Sequence, residues 1–530
     1  MQNITNIKFQ NIGNIPESVK DFLNFELNDY NFSVFSPENV KQKIKSKSEF
    51  FNAEKRNLLF EVLKNQHSDS QLSENQKFNI DSILLENTFT VTTGHQLNLF
   101  SGPVFSIYKI IQTIKLAEFL KTNFPENHFV PVFWMASEDH DFEEINHFKT
   151  KNHLYKIEGK SGGAVGKIKI EDEHFISDFE NEFKNSAFGN ELISMMKHAY
   201  KTGNTLSEAT RILFQELFSD SGLLILDGDS QALKSEMKPI FREELLNQNL
   251  HRFSKNNVDF IKNKYGKVQV NPREINLFYL SETRNRIEKK GNQYKILDTE
   301  TEFSESEILE ALEKHPEKFS PNALLRPVYQ EFILPNLVYV GGNAEILYWL
   351  ELKDYFEKIG LGFPVLVPRN SMLFISEKSV LNIEKFGFEP ADFLKNFDEF
   401  SKDFLLKNNK IKEILDQKEN ALKLQFSDLK NIAERTDKTF GNMVSAEEKR
   451  QLKSFERMKK RLLRAEKIKH REKLEQLKTL FHKIHPEEKW QERVLNFSVF
   501  YANFGKNWLK FCYEKMPAEK SELVVSGFGE

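Results

Sequence analysis

The chain has 530 residues, 39% hydrophobic and 29% charged, which suffices for roughly two to four domains and excludes a disordered or collagen-like chain. Its 75 Lys and Arg nearly balance 78 Asp and Glu, a net charge of −3, which argues against a nucleic-acid partner held by bulk charge. A single cysteine, Cys512, excludes an intrachain disulfide and any multi-cysteine metal site, and points to a reducing, cytoplasmic compartment.

The first thirty residues carry Asn, Glu and Asp throughout, with neither a basic start nor an apolar run. No later stretch of about eighteen apolar residues occurs, so no membrane partner is expected. Five short apolar segments then stand out, at 89–93, 129–135, 223–226, 337–340 and 363–367, each bounded by Gly, Asp, Pro or Asn. Such runs read as buried parallel strands, and the helical periodicity that follows them, clearest over 104–120 and 344–356, supplies the crossovers. The fold class is therefore α/β, with a doubly wound parallel sheet whose ligands belong at the carboxyl ends of the strands. Two stretches interrupt the alternation. Residues 148–218 are polar and mostly helical; 250–325 place Val268, Val270, Leu277 and Tyr279 as short antiparallel strands. Both read as insertions walling the active edge of a core domain over 1–384.

From 385 to 484 the character changes to long charged helices. Ile411, Leu415, Leu422, Phe426, Leu429 and Ala433 keep a spacing near 3.5, and so do Leu452, Phe455, Leu462, Ala465, Leu474, Leu477, Phe481 and Ile484. This predicts an antiparallel α-helical coiled coil with arms of about 50 Å, joined at 436–445, where Ser445 and Glu448 have capping-box spacing. The segment 485–530 is aromatic enough to return to the core, and Cys512 within it reads as a core residue.

Three strand ends carry candidate chemistry. Thr92-Thr93-Gly94-His95-Gln96, with Gly102 and then Lys109 on the next helix, offers backbone amides and an imidazole to phosphate or carboxylate oxygens, or is simply a capped turn. The second strand runs into Glu138-Asp139-His140-Asp141, then Glu143, Glu144 and His147. A helix from Asp139 would put His140, Glu144 and His147 on one face as ligands of a metal-dependent hydrolase; the same residues can instead form an acid/base and amine-binding cluster, or answer a helix dipole. Asp227-Gly228-Asp229 ends the third strand and Gly341-Gly342-Asn343-Ala344-Glu345 the fourth, at the same edge, with Arg326 and Arg369 as partners for an anion; tight turns alone would select the same residues, and arginines beside acids are often structural. Gly162, Gly163 and Gly166 before Lys167-Ile168 lack the spacing of a phosphate loop and read as a loop before a strand. No serine or cysteine nucleophile is supported. A coiled-coil adaptor without catalysis is the non-enzymatic alternative.

Several blocks occur together in order: Thr93-Gly94-His95-Gln96, Leu99-Phe100-Ser101-Gly102-Pro103, Tyr108-Lys109, Val130-Pro131-Val132-Phe133-Trp134 through His147, Ser320-Pro321-Asn322, Arg326-Pro327, Gln330-Glu331, Gly341-Gly342, Tyr348-Trp349, Val367-Pro368-Arg369 and Gln491-Glu492-Arg493-Val494. In these the chain resembles the BshC family, the cysteine-adding enzymes of bacillithiol biosynthesis. The resemblance implies a Rossmann-like core with connecting insertions and a coiled coil that forms a homodimer. It also implies a ligase joining the carboxyl of L-cysteine to the amine of glucosaminyl-malate. Because a carboxylate must be activated before it forms an amide, ATP with magnesium is the expected co-substrate, and no metal is expected in the protein itself. On this chemistry Thr93, Gly94, His95, Gln96, Gly102 and Lys109 would cradle the activating phosphate or developing oxyanion. Glu138, Asp139, His140 and Asp141 would hold amino groups and supply the general base. Asp227, Gly341, Gly342, Glu345, Arg326 and Arg369 would bind substrate.

Overall fold

A computed structural model describes residues 1–68, 71–159, 161–406, 409–433 and 435–529, with Asn3 by its backbone alone. Two compact units emerge: Met1–Phe374 with Trp490–Gly527, and a second built on Ile375–Lys489.

The first unit is organised by five strands, β1 (Thr88–His95), β2 (His128–Met135), β3 (Leu224–Asp227), β4 (Asn336–Gly341) and β5 (Val365–Pro368). They are the five apolar segments of the sequence. All pairings are parallel, in the order β5-β4-β1-β2-β3. Successive side chains of a strand point to opposite faces, and both faces here are buried. Val130, Val132, Trp134, Leu224, Leu226, Tyr339 and Leu366 enter one core; Phe89, Val91, Phe129, Val338, Val340, Val365 and Val367 enter the other, with Leu116 and Leu120 of helix α1 (Phe105–Asn123). Polar Thr90 and Thr92 fit the interior because Asn336 Oδ1 accepts both hydroxyls, at 3.2 and 2.7 Å, while its amide donates to buried Glu331 at 2.6 Å.

The chain winds outward from β1 to β2 and β3, then returns to the other side of β1 for β4 and β5. The order reverses between β1 and β4, so their carboxyl ends diverge and leave a crevice. Between β3 and β4 the chain builds an antiparallel sheet in which Leu277–Leu280 pairs with both Arg284–Lys290 and Phe319–Pro321. Leu277 and Tyr279 lie in this sheet, but Val268 and Val270 do not. Gly266 (φ +80°) ends the preceding helix, and the amides of Gln269 and Val270 donate to Glu351 instead of a ladder. The stretch 148–218 is mostly helical, with Phe179, Leu192, Met196 and Leu213 buried. Cys512 is buried in the helix Lys506–Lys515 of the C-terminal segment.

The second unit contains α5 (Lys410–Ala433), α6 (Lys438–Lys469) and α7 (Arg471–Ile484), named after α1 and the helices α2 (Phe142–Ile145), α3 (Leu325–Ile333) and α4 (Asn343–Leu350) of the first unit. α5 and α6 run antiparallel. Leu422, Phe426, Ala433 and Val444 pack between them, Lys430 pairs with Glu448 at 2.5 Å, and Lys459 pairs with Asp416 at 2.5 Å and with Glu419. The joint is shorter than its sequence suggests. Asp437, not Ser445, caps α6 by accepting the amides of Thr439 and Phe440, so Gly441 and Asn442 are helical and Glu448 is spent on Lys430. With 24 residues α5 spans about 36 Å rather than 50 Å. Ile411 and Leu429 are exposed, not in the seam. They lie eighteen residues apart, five full turns at 3.6 residues per turn, on a face beside the one that meets α6. Among the described residues no helix is long and apolar enough to cross a membrane.

Candidate active site

A cavity of about 620 Å³ opens where β1 and β4 part. Gly94, near the end of β1, lies beside Trp134 of the next strand, where a Cβ would make ordinary contact with the Trp134 backbone oxygen at 3.4 Å. His95 follows, half-buried beside Phe105 with ring centroids 5.0 Å apart and with its Nε2 buried and unpartnered. Burial, and then the charge of Lys109, push its pKa down to about 3, so the imidazole is neutral at physiological pH. Gln96 donates to Asp139 Oδ2 at 2.8 Å and to Glu144 Oε2 at 2.9 Å, tying the end of β1 to the acidic turn after β2.

That turn is held from below. Gly166 N donates to Ser137 O at 2.8 Å and Val165 N to Asp139 O at 2.7 Å. A side chain at Gly166 would collide with Ser137 Cβ at 2.7 Å, so the glycine-rich loop serves close approach to the acidic turn. Glu138 is buried and pairs at 2.5 Å with Lys234, a fully buried lysine that also donates to Asp229 at 2.9 Å. Burial raises the pKa of Glu138, and the Lys234 charge opposes the rise. Asp139 goes the other way. Burial would raise it, but hydrogen bonds from Gln96 and the His140 backbone amide and the charge of Arg284 hold it well below the carboxylate range.

Across the crevice, Glu345 in the first turn of α4 accepts Lys109 Nζ at 2.8 and 2.9 Å and the Tyr339 hydroxyl at 2.6 Å. Lys109 also donates to the carbonyl of Gly94, fixing the floor. Six arginines line the same cavity: Arg273, Arg284, Arg286, Arg326, Arg369 and Arg493. Arg326 donates to Gln330 Oε1 at 3.0 Å; burial disfavours its charge, but Tyr339, Tyr348 and Glu345 outweigh that and keep its pKa raised. Arg369 is anchored to Glu492 at 2.6 Å. The result is one pocket lined by both carboxylates and guanidinium groups, able to hold an amine and several anionic oxygens at once.

The sequence matches the family described as Bacillithiol biosynthesis BshC, N-terminal Rossmann-like domain, over residues 4–370, and Bacillithiol biosynthesis BshC, C-terminal coiled-coil domain, over 372–525. The chain belongs to the BshC family. Relatives named "Putative cysteine ligase BshC" include those of Flavobacterium psychrophilum, 42% identical over 94% of this chain and 95% of the relative, and Flavobacterium johnsoniae, 38% identical over 98% and 99%. The relative of Bacillus cereus is 28% identical over 82% of this chain and 84% of its own. The chain is an enzyme of the ligase class.

In this BshC-family chain, Gly94, His95, Gln96, Glu138, Asp139, His140, Arg326, Gly342, Glu345 and Arg369 all line the cavity. Six other candidates stand behind or beside it. Thr93 donates to Val340 O at 2.7 Å inside the sheet, and the carbonyl of Gly341 accepts the Arg369 amide at 2.7 Å. Gly102 has φ +63° and its carbonyl accepts the Asn496 amide at 2.7 Å. Asp141 caps α2, accepting the Glu144 amide at 3.3 Å, and half-buried Asp227 accepts the Ser137 hydroxyl. Lys109 reaches the site through Glu345. The expected face of His140, Glu144 and His147 does not form, because α2 spans only Phe142–Ile145, His140 precedes its cap and His147 begins a strand. Among the described residues no group of three or more His, Cys, Asp or Glu is placed to hold a metal ion. The cavity takes Arg273, Arg284 and Arg286 from the insertion 250–325 and no residue from 148–218, so one insertion walls it and the other does not. The spacing of two in Arg284 and Arg286, on one face of a strand, was the available signal for that wall. Lys234 carries none: only the fold brings it to Glu138.

Proposed function

We propose that this protein joins the carboxyl of L-cysteine to the amine of glucosaminyl-malate, forming the amide of bacillithiol, with ATP and magnesium as co-substrates in the cytoplasm. The observation that carries this is one cavity lined by both kinds of charge, Glu138 and Asp139 together with six arginines. Glucosaminyl-malate has an amine and two carboxylates, cysteine an amine and one carboxylate, and such a pocket answers both kinds of charge.

The donor set also fits a phosphate-bearing nucleotide. Arg326, Arg369 and Arg493 with the Gly94-His95-Gln96 turn would hold its anionic oxygens, and it would supply activation of the cysteine carboxyl. Magnesium would arrive with the phosphates. Asp139, held ionised, binds an ammonium group; Glu138 takes the proton from the attacking amine; the arginines orient carboxylates and exclude water around them.

Homodimerisation belongs to the same proposal. Ile411, Ile414, Leu429 and Ile432 are exposed on one face of α5, at spacings of 3, 18 and 21 residues from the first, and a second copy would cover them.

The deciding experiment mixes the purified chain with L-cysteine, glucosaminyl-malate and MgATP and follows bacillithiol by mass spectrometry, with ATP omitted in parallel. ATP-dependent product is expected. Product without ATP would overturn the activation step, and no product from folded protein would overturn the substrate assignment.

A further inference from the structure

A histidine among acids invites the role of base, but its two ring nitrogens are not equivalent. Nδ1 of His140 lies 3.0 Å from Nη1 of Arg284. A guanidinium has only N–H donors and does not give up its proton, so this contact requires the Nδ1 lone pair as acceptor. In the neutral ring the proton then sits on Nε2.

Arg284 has little freedom to turn away. Its Nε donates to Ser320 Oγ at 3.0 Å, its Nη2 to Pro321 O at 2.8 Å, and the guanidinium stacks 4.0 Å from the centre of the Phe278 ring. Its side chain is only 8% exposed. One group competes for the same imidazole nitrogen: Asp139 Oδ1 is 3.5 Å from Nδ1 and would favour a protonated ring. That oxygen already accepts the His140 backbone amide at 2.7 Å and lies 3.9 Å from Arg284, whose charge answers it, while Oδ2 is taken by Gln96. Glu138, the other nearby carboxylate, is neutralised by Lys234.

We propose that Arg284 is a positioning residue that locks His140 as the neutral Nε2–H tautomer, making His140 a hydrogen-bond donor to an anionic oxygen of the bound substrate and not the base of the site. His140 lines the cavity and its side chain is 40% exposed, so Nε2 is the nitrogen left for a ligand. The identity of the oxygen rests on the ligase reading: attack of an amine on the activated cysteine carboxyl puts negative charge on the carbonyl oxygen, which a neutral N–H donor stabilises. The tautomer does not depend on that reading.

The test uses the full chain labelled with 15N in its histidine rings. Long-range 1H–15N correlations near neutral pH report the tautomer, with the His140 signals identified by their loss in His140→Gln. The Nε2–H pattern is expected; an Nδ1–H ring or an imidazolium overturns the proposal whatever reaction the enzyme performs. Arg284→Met should release the pattern to a mixture and Arg284→Lys should retain it, whereas an unchanged ring in the folded Met variant overturns the role of Arg284. In turnover, His140→Gln, whose amide reaches the Nε2 position, keeps kcat within about tenfold, and His140→Asn, whose amide reaches Nδ1, loses about 10²–10³-fold. The reverse order overturns the donor role. If the wild type shows no ligase turnover, the substrate assignment falls and the tautomer measurement still decides this inference.

Discussion

At the scale of single residues, the site works by giving neighbouring groups opposite environments. Asp139 is surrounded by donors and stays ionised, so Asp139→Asn removes a charge and leaves one of those donors facing an amide N–H; kcat/KM should fall about 100-fold and the melting temperature should fall with it. Glu138 is balanced between burial, which raises its pKa, and Lys234, which lowers it. Lys234→Met removes that lowering influence, and a base acts when ionised, so the acidic limb of the kcat/KM profile should move to higher pH. A limb that stays in place would remove Glu138 from the role of base. His95 makes a prediction about stability instead. Its pKa is about 3 in the folded chain against an ordinary 6.5, so between those values the unfolded state binds the extra proton. Its contribution is complete above pH 6.5 and is lost as pH falls toward 3, at up to about 1.4 kcal/mol per pH unit. Urea titrations should therefore show a shallower acid loss for His95→Gln than for the wild type.

At the scale of elements, the caps and close approaches decide where helices begin and how near strands come. Asp437 satisfies two of the amides that open α6, and Asp437→Ala should cost about 1 kcal/mol locally. Hydrogen exchange at Thr439 and Phe440 reads this directly, faster in the variant and unchanged at the middle of α6. The sequence carried a competing signal, Ser445 with Glu448 at capping-box spacing, but Glu448 has a cross-helix partner in Lys430. A local motif loses to a tertiary ion pair when the helix can start eight residues earlier, about two turns. The same competition removes Val268 and Val270 from the antiparallel sheet, since their loop meets Glu351 before it meets a strand.

For the whole molecule, the proposed dimer rests on the exposed apolar stripe of α5. Burying four such side chains between copies would contribute several kcal/mol, by about 25 cal/mol per Å² of apolar surface. Light scattering should give a dimer for the wild type and a monomer for the variant with Ile411, Ile414, Leu429 and Ile432 all replaced by Ser; a wild-type monomer would remove the stripe from that role.

The sequence by itself determined the five buried strands, because parallel strands covered on both faces are predominantly apolar and each such run is bounded by turn-forming residues. It also determined the edge at which chemistry gathers, since Gly94, Glu138, Asp139 and Glu345 follow those strands directly. Tertiary structure alone decided the rest. Lys234 meets Glu138 across 96 positions of chain and Arg284 meets His140 across 144, and no periodicity links residues that far apart. The tautomer of His140 is such a decision: the sequence supplies a ring with two nitrogens, and only a fixed guanidinium from another sheet says which one carries the proton.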